Sequence, residues 1–149
     1  MSTLRASAAV LASAIAAGAA GCGSSSPPSR ADFVNKANAI CKRVNDQLAA
    51  AGTAQTAADV QRIGPGVLAA EQRGLSDLRS LKAPTGLASD WKRLLADLSQ
   101  LSTNASKLLS AAKASDNATA QRVGAASQQT QSEITALASR DGLSECAKG

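Results

Sequence analysis

Between residues 87 and 112 the side chains Leu87, Trp91, Leu94, Leu98, Leu101, Ala105, Leu108 and Ala112 recur at alternating spacings of four and three. That period puts all eight on one stripe of an α-helix, and no strand can gather them, because strand side chains change face at every residue. So long an apolar stripe has to be covered by other helices, as the seam of a bundle is. The spacing predicts a helix over 85–114 within an all-α, antiparallel four-helix bundle-like domain.

The rest of the chain supplies the partners. Ser29 and Asp32 have the spacing of a helix-capping pair, and Phe33, Ala37, Ile40, Cys41, Val44 and Leu48 then share one face, which predicts a helix over 30–51 stopped by Gly52. A second helix is expected over 57–82, with Asp59 in its first turn and Val60, Ile63, Val67, Leu75, Leu78 and Leu81 turned inward. Gly64-Pro65-Gly66 removes a backbone donor inside it, so a kink near 65 is expected, with the apolar period resuming in phase. Ala83-Pro84-Thr85-Gly86 separates helices two and three, because the residue before proline avoids helical dihedrals. Ser115-Asp116-Asn117 caps a fourth helix over 117–139 that carries Val123, Ala126, Thr130, Ile134 and Leu137. With so few large side chains, it should be the most weakly packed.

Composition points the same way. The chain has one Phe, one Trp, no Tyr and 4 Pro, so alanine has to fill much of a thin core. The formal net charge of +5, one unit of it from Arg5, is scattered. Lys42-Arg43 and Lys92-Arg93 are the only adjacent basic pairs beyond the leader, and no aromatic residues interleave with them. That pattern does not make a nucleic-acid footprint.

Ahead of the helices stands an export signal. Met1 to Arg5 carries one positive charge, and Ala6 to Ala20 carries none, as in the n-region and h-region of a secretory leader. The stretch is too short for a bilayer core, which takes about 20 apolar residues. It closes on Ala19-Ala20-Gly21-Cys22, which resembles the bacterial lipobox, where small residues precede a cysteine that receives a diacylglyceryl group on its sulfur. The expected organisation is a lipoprotein signal peptide over 1–21, a lipidated Cys22 with a Ser/Pro-rich tether over 22–29, and a helical domain over 30–149. Cleavage near Ala17-Gly18-Ala19 by ordinary signal peptidase is the alternative, and it would leave Cys22 as a free thiol. With Cys22 lipidated, two cysteines remain in a compartment that permits oxidation, so a disulfide between Cys41 and Cys146 is expected, tying the tail to helix one. Gly23 to Ser29 reaches only about 20–25 Å when extended, which would keep the domain beside the headgroups on the outer face of the cell membrane.

Asp32-Phe33-Val34 with Ala37-Asn38-Ala39-Ile40-Cys41, Leu81-Lys82-Ala83-Pro84 ahead of Trp91, and the terminal Gly142-Leu143-Ser144-Glu145-Cys146 together resemble the small, uncharacterised helical lipoproteins of actinobacteria. The resemblance spans nearly all of the chain after the leader. It implies the cysteine pair and the bundle, and no activity.

The sequence contains no histidine, which removes the commonest general base and the usual zinc and haem ligand. It also lacks a G-x-S-x-G elbow, a P-loop and a dinucleotide-binding glycine pattern. No catalytic, metal or cofactor residues are assigned. Asp77 and Asp90 are expected as exposed ion-pair partners of their neighbours Arg79 and Arg93. Trp91 is expected in the core, and Asn104 and Asn117 match the glycosylation sequon only formally. Two functions follow: an envelope interaction or structural module that meets an envelope protein or wall polymer, or a module that holds a small apolar ligand or lipid between helices. A contiguous cavity of several hundred Å³ would favour the second.

Overall fold

A computed structural model describes residues 28–148. Four helices follow one another, α1 (Arg30–Ala51), α2 (Ala57–Arg79), α3 (Ala88–Ala114) and α4 (Asn117–Asp141), with a 3-10 turn over Thr85–Leu87 leading into α3. The expected signal peptide, and Cys22 with most of its tether, lie outside the described residues.

Each boundary has a local cause. Ser29 Oγ accepts from the Asp32 amide at 3.1 Å and starts α1, and Gly52, at φ 84°, ends it. Thr56 and Asp59 form a reciprocal capping box: the Thr56 hydroxyl accepts from the Asp59 amide, and the Asp59 carboxylate accepts from the Thr56 amide, both at 3.1 Å. α2 stops at Arg79, three residues short of the expected end. There the Ser80 hydroxyl donates to the Asp77 carbonyl at 2.6 Å and the Leu81 amide reaches back only three residues, to Leu78, while Pro84 forbids a longer helix. Pro84 also sets the 3-10 turn that replaces the first turn expected of helix three. Ser115 takes the left-handed conformation, φ 55°, and ends α3, and the Asp116 side chain caps α4 through the Thr119 amide at 3.0 Å. α4 runs two residues past the expected 139 before Gly142, φ 82°, closes it: the Leu143 amide bonds the Ala138 carbonyl at 2.8 Å and buries Leu143 as it does so.

α2 passes through Gly64-Pro65-Gly66 without splitting. Pro65 faces solvent, its missing donor loses one rung, and the helix is held on both sides of it by the capping box and by contact with α3. Gln61 Nε2 donates to the Ala112 carbonyl at 2.8 Å, and Gly64 lies against Leu109.

Cross-helix pairs establish antiparallel neighbours. Arg43 pairs with Asp77 and Val44 meets Gly74, Gln61 meets Ala112 while Arg79 meets Ser99, and Arg93 meets Glu133 while Arg140 meets Asp90. Along the α1–α2 register Ala51 falls near Val67, so the first turns of α2 extend beyond the end of α1. There Val60, Ile63, Val67, Ala105 and Leu108 are only half-buried. The dense core therefore sits at the opposite end, around Phe33, Ala37, Cys41, Leu78, Leu87, Trp91, Leu94, Ile134, Leu137, Leu143 and Cys146. α4 packs chiefly on α3 and buries no side chain completely between Val123 and Ile134, and Ala126, expected on its inner face, is exposed.

Candidate functional site

α1 adjoins α2, α2 adjoins α3 and α3 adjoins α4, but α1 and α4 do not pack closely along their lengths. The C-terminal segment after Gly142 occupies part of that open side. Asn38 grips it from both directions, its Nδ2 donating to the Gly142 carbonyl at 3.3 Å and its Oδ1 accepting from the Glu145 amide at 3.0 Å. Asn45 Nδ2 donates to the Glu145 carbonyl at 2.8 Å. Between the two asparagines Cys41 is bonded to Cys146, with Cα atoms 5.0 Å apart, and both are buried. The three side chains stand at i, i+3 and i+7 along α1, and of them the sequence marks only the cysteine as a cross-link. The cross-chain asparagines were legible only as two polar residues flanking an apolar face.

Next to the disulfide the wide side leaves a cavity of about 130 Å³, partly open to solvent. Its walls come from all four helices. Val44 and Leu48 of α1, Leu75 of α2, Leu98 and Leu101 of α3 and Ile134 of α4 supply an apolar lining, and the disulfide closes one end. Gly74 matters here because α1 comes so close that a Cβ would strike the Val44 side chain. The volume is below the roughly 300–1,000 Å³ of a drug-sized site, too small for a lipid chain. It is close to the roughly 150 Å³ of an engineered cavity that admits benzene.

Three polar side chains, Asn45, Glu71 and Gln131, interrupt the apolar wall, and Asn45 is already engaged with the Glu145 carbonyl. Glu71 and Gln131 line the cavity, and Glu71 Oε2 and Gln131 Nε2 are each shut off from solvent without a hydrogen-bond partner among the described residues. Burial raises the Glu71 pKa above its ordinary 4.5, and it forms no ion pair among the described residues. Sequence reasoning missed both residues. Glu71 sits one turn before Leu75 on α2, and an acidic residue at that place in an apolar period is the signal that marks it.

Other sequence candidates do not converge. Asp77 and Asp90 are held by Arg43 of α1 and Arg140 of α4 rather than by Arg79 and Arg93, because each carboxylate faces across a helix pair instead of along its own helix. Arg79 donates to Ser99 and Arg93 reaches Glu133 and Asp97. Trp91 is 6% exposed, in the core. Asn104 is buried, with its Oδ1 accepting from Gln100 at 3.0 Å, and Asn117 opens α4 in an exposed position. Among the described residues no group of three or more His, Cys, Asp or Glu could hold a metal ion, and no helix is long and apolar enough to cross a membrane. Comparison of the chain with protein-family models, curated proteins and solved structures finds no match.

Proposed function

We propose that this chain is a lipid-anchored extracytoplasmic module of a bacterial envelope, fixed through Cys22 and presenting a polar helical surface to an envelope protein or wall polymer. The observation that carries the reading is the buried Cys41–Cys146 bond. Disulfides persist in oxidising compartments outside the cytoplasm. Pairing Cys41 with Cys146 leaves Cys22 as the odd cysteine, at the end of a leader whose last residues resemble a lipobox. The α1 cap at Ser29 lies only seven residues beyond Cys22, so an anchor there would hold the bundle near the headgroups. A cavity of about 130 Å³ argues against the storage of a whole lipid between the helices.

The test is metabolic labelling with an alkyne fatty acid in a bacterial host that processes lipoproteins. Label on the unaltered chain and its loss in Cys22→Ala, together with a shift from the membrane fraction to the medium, are expected. An unlabelled chain that is nevertheless secreted and cut near Ala17-Gly18-Ala19 would overturn the anchor. In-cell crosslinking of the anchored protein, followed by mass spectrometry, then identifies what the surface meets.

A further inference from the structure

The geometry points to a binding site for a small primary amine in the cavity beside the disulfide, its ammonium on Glu71 and its single ring or short alkyl body against Val44, Leu48, Leu75, Leu98, Leu101 and Ile134. The argument begins with a mismatch. An apolar recess in a thin core is normally filled by apolar atoms, because voids cost packing energy and carboxylates lose hydration there. Here the wall carries the Glu71 carboxylate, which has no hydrogen-bond or ion-pair partner among the described residues. Among the described residues no Lys or Arg forms an ion pair with it, and burial raises its pKa.

A ligand ammonium would supply what is missing. It carries three donors and a positive charge, and charge-assisted hydrogen bonds are the strong kind. The Gln131 carboxamide, also unpaired at Nε2, lies on the same cavity and offers its oxygen as a second acceptor. Size limits the rest of the molecule: about 130 Å³ admits one ring and excludes a fatty chain. The partly open mouth provides the entry path. This site is independent of the proposed anchor, because every residue in it belongs to the folded domain.

The experiment uses the full chain carrying Cys22→Ser with its disulfide intact, so that lipidation has no part in the outcome. Benzylammonium and benzyl alcohol, equal in size and different in charge, are titrated while the backbone amides of Gly74, Leu75 and Ile134 are followed by NMR. Saturable shifts with the amine at least tenfold tighter than the alcohol are expected, and Glu71→Gln should bring the amine down to the level of the alcohol. Equal binding of the two compounds, or no shift with either, overturns the proposal. Where Glu71→Gln fails to fold by circular dichroism, the comparison of the two ligands on the protein with Glu71 intact still decides it.

Discussion

Phe33 of α1 and Trp91 of α3 meet edge to face, with ring centroids 4.8 Å apart and planes at 84°. They are the only two aromatic residues of the chain, and both are buried at the end of the bundle where the core is densest. An edge-to-face pair adds about 0.5–1.5 kcal/mol to the burial of its rings. Phe33→Ala should destabilise the domain by about 3–5 kcal/mol, and Phe33→Leu by much less. Thermal unfolding measures the loss, and the near-ultraviolet dichroism of Trp91 should collapse in the alanine variant. A Phe33→Ala protein that melts like the original would show that this contact does not organise the core.

The Cys41–Cys146 bond closes a span of 105 residues. Cys41→Ser and Cys146→Ser should each cost about 2–5 kcal/mol, and the double variant no more than either alone. Asn38 and Asn45 hold the same tail by hydrogen bonds, so the reduced protein should keep its helices while the Leu143 and Glu145 amides exchange faster with solvent. Additive losses in the two single variants would contradict the pairing.

At Gly74 α2 packs tightly against α1. A Cβ there strikes Val44, so Gly74→Ala should destabilise by about 1–3 kcal/mol despite the better helix propensity of alanine. Val44→Ala in the same chain should recover part of the loss, a coupling that a double-mutant cycle reads directly. Gly66→Ala, which meets nothing, is the control and should be neutral or mildly stabilising.

Two carboxylates of α2 should titrate in opposite directions. The Thr56 hydroxyl, Arg62 and the amides of Thr56 and Gln55 hold Asp59 at about 2, against an ordinary 3.8. Its stabilising effect is present above pH 3.8 and is lost as the pH falls toward 2. Glu71 is raised by burial, so ionisation of Glu71 opposes folding, and acidification toward its ordinary value of 4.5 relieves that penalty. Carboxyl carbon shifts measured by NMR against pH check both. Glu71→Leu should raise the melting temperature at neutral pH, because it exchanges an unpaired half-buried carboxylate for an apolar group of similar size.

The helices were legible because their signals are local. Ser29 and Gly52 bracket α1 where the sequence puts them, and the seam from Trp91 to Ala112 runs along α3. Ends governed by competition between nearby groups shifted: Arg79 rather than Lys82 ends α2, because the Ser80 hydroxyl and Pro84 act together. The partners of Asp77 and Asp90 were misread for a different reason. Neighbouring residues along one helix are visible in sequence, whereas Arg43 and Arg140 reach them only through helix packing. Glu71 went unnoticed because its meaning depends on which helix covers it.

By itself the sequence determined an all-α chain of four helices, because a period of 3.6 residues, caps and proline breaks act within a few residues of one another. With Cys22 set aside as a lipidation candidate, it also left Cys41 and Cys146 as the expected pair. Only the tertiary structure decided which side of the bundle stays open, that Asn38 and Asn45 clamp the tail across it, and that Glu71 faces an apolar cavity. Those features depend on how α1 and α4 are spaced, a distance set by the side chains of all the helices at once.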